Sequence, residues 1–352
     1  MFLHVGAPMT GASYLRECLS RHRRRLTRSG VLYPQGHLGH DGGHREAVLD
    51  VLDLASNDQA PSTGAWDRLA ETARDWRRGT VVISHELLAD ATEAQVERVV
   101  ASFGDVEVHV VYAARGLGRQ IPLAWQEWVR HGGTAPFPVY VNRIVARDAQ
   151  RMSRVFWQSH DVAEVLRRWS AYVPADRVHV LTVPAGEDED ELLWDRFART
   201  VGIDPRKFKA GGVDERRSPI GLAQNEVLRL LNVEAGQLAD PDRMQHVRRR
   251  LGSGSGARPA LSVVHAGWLR EETDRQVSAM KDGGYDVVGD FANLMPEPDE
   301  LAVSADQVTP DLDDVMHAQT RLIVSLISGG EAEGPASLRL RALRGLSRAT
   351  GR

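Results

Sequence analysis

The first thirty residues, Met1 to Gly30, constrain the fold of this chain more than any other stretch. Phe2, Leu3, His4 and Val5 read as a short buried strand, and Gly6 to Ser13 as a turn of small residues. From there Tyr14, Leu15, Cys18, Leu19, His22 and Leu26 recur at helical spacing, with Arg16, Arg21, Arg24, Arg25 and Arg28 mostly on the other faces. A strand that passes through a glycine-containing turn into a helix makes an anion site. The first N–H groups of the helix have no internal partner, and the helix dipole favours negative charge there. Ser13 adds a hydroxyl donor to the place where a phosphate would sit.

The same strand-then-helix pattern recurs along the chain. Thr80-Val81-Val82-Ile83-Ser84 is an apolar, β-branched run of the kind found in central parallel strands, and it stops at His85-Glu86. Val106 to Ala114 reads as the next strand and delivers Arg115 at its carboxyl end, followed by a helix over Leu117 to Val129. Thr134 to His160 reads as a loop with a basic helical stretch, Asp161 to Tyr172 as a helix, and Val178 to Pro184 as another strand. Acidic Glu187 to Glu191 leads into a helix over Leu192 to Val201. Further helices are expected at Ile220 to Ala235, Arg243 to Leu251 and Val264 to Met280, with GSGSG at 252–256 as a flexible break. An extended piece follows at Tyr285 to Asp290, then an acidic tail with a helix near Val315 to Ile327, and a basic end from Arg339. Alternating strands and helices predict an α/β fold with a parallel, helix-flanked sheet and helical C-terminal additions. The expected division is 1–296 for the α/β domain and 297–352 for the extension.

Composition narrows the function. The 352 residues are 42% hydrophobic and 26% charged, with a formal net charge of −4, which gives no bulk drive toward nucleic acid or a membrane surface. No apolar run reaches the ~20 residues of a membrane span, and no signal peptide is visible, so a cytoplasmic location is expected. Cys18 is the one cysteine and is read as packing. His37, His40 and His44 lie in a glycine-rich stretch without carboxylates or cysteines at ligand spacing; they read as solvated loop histidines, and no metal is expected.

Gly6, Gly11, Ala12 and Ser13 fit the Walker A frame G-x-x-x-x-G-K-[ST], except that Ala12 stands where the lysine belongs. Without that lysine, and without a clear Walker B aspartate, an ordinary nucleotide kinase is disfavoured. Strand ends are where open α/β sheets place ligands, so Glu86 is either a ligand-facing acid or a helix-start carboxylate. For Arg115 the choice lies between a phosphate ligand and a surface arginine at a strand end. Trp125, Gln126 and Trp128 either border an acceptor pocket or, for the tryptophans, pack the core. Arg16, one turn into the first helix, could lend charge to the loop.

Several stretches together resemble the bacterial sulfotransferases, of actinobacterial type, of the P-loop superfamily. VGAPMTGASYL is similar to the phosphosulfate loop P-K-[ST]-G-[TS]-[TS], with Met9 in the lysine's place and Ala12 in that of a hydroxyl residue. VVISHELLAD, VHVVYAARGLGRQIPLAWQEWVRHGG, VLRRWSAYVPADRVHVLTVP and GYDVVGDFANLMP resemble further segments of that family in the same order. The resemblance implies a three-layer P-loop NTPase-like fold. It also implies sulfuryl transfer from 3′-phosphoadenosine 5′-phosphosulfate (PAPS) to a hydroxyl or amine of a small metabolite or carbohydrate. Pro8, Met9, Thr10, Gly11, Ala12, Ser13 and Tyr14 would then line the 5′-phosphate site, and Arg115 would take the 3′-phosphate. Leu123 stands where the family often has a serine, and Arg119 could replace the lost donor. Glu86 is the candidate general base, with His85 second. The alternative is a catalytically degenerate relative serving as a nucleotide- or partner-binding module; homo-oligomerisation is left open.

Overall fold

The computed structural model describes residues 1–35, 42–54, 64–186, 188–209, 221–235, 257–302 and 308–328, together with 247, 250 and 251. The expected loop histidines His37 and His40, the GSGSG break, most of the helix expected from Arg243, and the basic end lie outside these residues.

Six parallel strands form one sheet in the order β2-β3-β1-β4-β5-β6, where β1 is Phe2–Gly6, β2 Val31–Leu32, β3 Thr80–Ser84, β4 His109–Ala114, β5 Val178–Thr182 and β6 Asp286–Val288. The helices are α1 Ala12–Arg28, α2 Gly42–Val51, α3 Ala65–Asp75, α4 Glu93–Ala101, α5 Leu117–Arg130, α6 Phe137–Val145, α7 Arg151–His160, α8 Val162–Ser170, α9 Glu189–Thr200, α10 Leu222–Ala235, α11 Ala266–Asp282 and α12 Leu312–Ser328. The strands read as continuous apolar runs because both faces of the sheet are covered. Successive side chains go to opposite faces. Val110, Tyr112 and Ala114 of β4 join a core with Val96 and Val99 of α4, Val165, Leu166 and Trp169 of α8, and Val277 and Met280 of α11. Val111 and Ala113 join the opposite core, with Leu15 and Leu19 of α1 and Leu193, Trp194 and Phe197 of α9. The result is a three-layer α/β architecture with β1 near its centre.

The chain divides into two compact units. The first comprises Met1–Gln120, Arg147–Val213 and Gly267–Pro296 and holds the whole sheet; the second comprises Ile121–Ala146, Asp214–Ala266 and Glu297–Arg352. In the second unit Trp125 is fully buried, its Nε1 donating to the Ala135 carbonyl at 3.0 Å, so its role is packing. Asn232 of α10 donates to the carbonyls of Val129 and Gly133.

Three readings of the sequence are corrected. The stretch 134–160 is helical over α6 and α7 rather than loop-like, with Pro136 and Pro138 opening α6 in positions where a missing N–H costs nothing. β4 begins at His109, because Val106 is drawn into a turn by its N–H bond to the Phe103 carbonyl. His44 is not a solvated loop histidine: it is buried on α2, with Nε2 2.8 Å from the Pro34 carbonyl oxygen and Nδ1 accepting from the Ser84 N–H. Among the described residues no helix is long and apolar enough to cross a membrane, and no group of three or more His, Cys, Asp or Glu is placed to hold a metal ion.

Candidate functional site

The turn between β1 and α1 lies at the carboxyl end of the sheet. It is pinned from three sides. The Ala7 N–H bonds to the Ala113 carbonyl at 3.1 Å, Thr10 Oγ1 donates to the Ala7 carbonyl at 2.6 Å, and Gln120 Nε2 donates to the Pro8 carbonyl at 3.0 Å. The Thr10 hydroxyl is therefore spent on the turn. Gly11 is the N-cap of α1, with φ +89, and no side chain caps the helix. Leu15 is the first residue whose N–H turns back into the helix, onto Gly11, so the amides of Ala12, Ser13 and Tyr14 head the helix ahead of its hydrogen-bond ladder. No acidic residue lies in that first turn. The backbone therefore offers donors and positive dipole together.

Met9 adopts φ +61, a left-handed conformation that costs an L-residue with a Cβ roughly 1–2 kcal/mol. Gly11 is required twice over: its φ is positive, and a Cβ there would collide with Leu193 Cδ2 of α9.

Guanidinium groups stand at this end of the sheet. Side chains of a helix lean back toward its N-terminus, and Arg16 does so: one terminal nitrogen donates to Ser13 Oγ at 2.9 Å and to Glu86 Oε1 at 3.3 Å, and the other pairs with Glu86 Oε2. Ser13 Oγ thus accepts from Arg16 and keeps its own proton to donate. Glu86 opens the short 3-10 turn after β3, as the helix-start reading has it, and its carboxylate pairs with Arg16 of α1.

Arg115, just past β4, pairs with Glu189 in the first turn of α9. Arg119 reaches the same carboxylate at 3.4 Å, while its nitrogens also donate to the carbonyls of Pro184, Val183 and Asn293 at 2.7–3.0 Å. The Asn293 carbonyl comes from the GDFANL stretch after β6, which the chain also ties to β5 through Thr182, whose Oγ1 donates to Asn293 Oδ1 at 3.0 Å. Burial pushes the Glu189 carboxyl up, against the opposing pull of Arg115 and Arg119. Leu123 sits on α5 in the portion assigned to the second unit, half-buried.

His85 accepts the Leu87 N–H on Nδ1 at 3.2 Å and is 5% exposed. Burial, with the Arg16 charge next, pulls it down to about 3. His85 is consequently neutral near pH 7. His4 on β1 is fully buried, its Nδ1 2.7 Å from Ser84 Oγ, and the same two causes pull it down to about 3.

No family model and no curated protein matches this chain. Among solved structures it is similar to a sulfotransferase from Alicyclobacillus acidocaldarius, at 14% identity and a TM-score of 0.41, over 69% of this chain and 98% of that one.

Of the residues expected from sequence, Pro8 to Tyr14, His85, Glu86, Arg115 and Arg119 all belong to the first unit and flank the carboxyl ends of β1, β3 and β4. Sequence reasoning missed Glu189 as a partner of both arginines and left the direction of Arg16 open. The signal for Glu189 was present in the acidic run ahead of α9, but an acidic first turn is ordinary helix chemistry. Only the placement of α9 beside the loop distinguishes it: Leu193 packs against Gly11, and the carboxylates of Asp190 and Glu191, behind burial, help hold the Tyr14 hydroxyl protonated.

Proposed function

We propose that this protein transfers a sulfuryl group from PAPS to a hydroxyl or amine of a small metabolite or carbohydrate. The observation that carries the reading is the uncapped start of α1 at the end of the central strand, flanked by Arg16 and Arg115, each already holding a carboxylate. Such a site has donors, dipole and cations arranged for anions. The amides of Ala12, Ser13 and Tyr14 and the Ser13 hydroxyl would hold the 5′-phosphate. Arg115 would hold the 3′-phosphate, with Arg119 bracing the strand ends around it. The acceptor oxygen or nitrogen attacks sulfur, the sulfur–oxygen bond to the 5′-phosphate breaks, and its electron pair leaves on the phosphate. The acceptor's proton passes to a base. Glu86 is the proposed base; His85, neutral and with Nδ1 already occupied, stands second.

One observation favours a second reading, a nucleotide- or partner-binding module without turnover: Met9 brings no charge to the leaving phosphate, and losing one such group commonly costs two to three orders of magnitude, about 10²–10³, in rate. Calorimetric titration of adenosine 3′,5′-bisphosphate, the desulfated product, tests the nucleotide site. Binding by the wild type that collapses in Arg115→Ala is expected. Binding confined to Met9→Lys would favour the degenerate reading, and no binding by either would sink the enzyme.

A further inference from the structure

The loop lacks a lysine, yet a cation stands within hydrogen-bond reach of it. Arg16 donates at 2.9 Å to the hydroxyl of Ser13, whose amide is one of the three that head α1. Its side chain is 16% exposed, and Glu86, 23% exposed, takes both of its terminal nitrogens. The carboxylate comes from another strand, so the fold brings an anion to a helix start that has no acidic residue of its own. A carboxylate held by both terminal nitrogens of a guanidinium that also donates to Ser13 occupies that guanidinium as a phosphate oxygen pair would. Met9, by contrast, presents a neutral thioether from a left-handed backbone position.

Resting on the proposed function, we infer that Arg16 supplies the phosphate-binding charge that Met9 cannot. Glu86 holds Arg16 in place until the donor's 5′-phosphate displaces it. The exchange has a chemical consequence. Before the donor arrives, the Glu86 carboxylate is held by Arg16; once displaced, it is released beside the reacting group to take the acceptor's proton. Arg16 thus acts on the 5′-phosphate and Arg115 on the 3′-phosphate, and the two can be told apart by ligands carrying one or both.

The test is calorimetric titration of adenosine 3′,5′-bisphosphate and of adenosine 5′-monophosphate into wild type, Arg16→Gln, Glu86→Gln, Arg115→Ala and the double variant Met9→Lys/Arg16→Gln. Arg16→Gln should weaken both ligands by about 10- to 100-fold, the range of a hydrogen bond to a charged group. Arg115→Ala should weaken the bisphosphate alone. Glu86→Gln, which removes the competing carboxylate, should tighten both, and Met9→Lys/Arg16→Gln should regain binding lost in Arg16→Gln. Where Arg16→Gln strands the Glu86 carboxylate and lowers the melting temperature too far, Arg16→Gln/Glu86→Gln carries the comparison. Binding of both ligands by folded Arg16→Gln within about twofold of wild type, or by Arg16→Gln/Glu86→Gln within about twofold of Glu86→Gln, overturns the inference while leaving the proposed function standing. Absence of wild-type binding overturns the proposed function, and this inference with it.

Discussion

Lowering the pH from about 7.5 to about 5.5 should weaken the first unit by ~3 kcal/mol, through histidines that the fold keeps neutral. His4, His85 and His160 are 0%, 5% and 6% exposed, and burial pulls each down to about 3 from an ordinary 6.5. In the unfolded chain each binds a proton near pH 6.5, but in the fold it does not. The unfolded state therefore gains protons as the pH falls, and stability is lost through the window from 6.5 downward. Over that interval each histidine costs ~1.4 kcal/mol, so the three together cost ~4 kcal/mol. Asp90 works the other way: burial pushes its carboxyl up to about 6, so the fold takes its proton first. That returns ~0.8 kcal/mol by pH 5.5, which leaves the net near ~3 kcal/mol. Glu189, raised by burial, adds to the return, and His109, lowered by burial, adds to the loss.

Hydrogen exchange of the β1 and β4 amides reads the opening of this unit by itself, and their protection should fall by roughly a hundredfold across the interval after correction for intrinsic rates. His160→Phe removes one of the three titrations from a site where Nδ1 is buried without a partner among the described residues, and should flatten the dependence by roughly two-fifths. Protection that holds constant or rises toward acid pH would contradict this account, because the three histidines would then be charged in the fold.

Met9→Gly should raise the melting point, since it removes a left-handed strain of roughly 1–2 kcal/mol at a half-buried position; an unchanged or lower melting point counts against that strain. Gly11→Ala should destabilise by more than the ~1 kcal/mol typical of a single substitution, because positive φ and the Leu193 collision act together, and calorimetry should find its bisphosphate binding abolished. Glu189→Gln should lower the melting point by leaving Arg115, 10% exposed, without its carboxylate, and added bisphosphate should restore more stability to it than to wild type. Equal ligand-induced shifts in a thermal unfolding assay would show that Glu189 and the anion do not compete.

Much of this architecture was legible in local pattern. The apolar runs at 2–5, 80–84 and 178–183 announced buried parallel strands, because such strands are covered on both faces and alternate nothing. Gly11 ahead of an arginine-studded helix announced where that helix starts, and Arg115 was placed by following its strand to the carboxyl end. The partners of those residues were not legible, because charge pairing between distant segments leaves no period in a sequence. Glu86 lies 70 positions from Arg16 and Glu189 lies 74 from Arg115; both meetings depend on β3 and β4 lying on either side of β1 and on α9 packing over the loop. His44 looked solvated because glycines surround it, and was buried by α2 folding onto Pro34 and Ser84. Local residue order was enough to set the apolar strands, the start of α1 and the absence of a loop lysine, though not α6, α7 or the first residue of β4. Tertiary packing chose which carboxylate each arginine holds, since that energy comes from groups brought together only when the sheet forms.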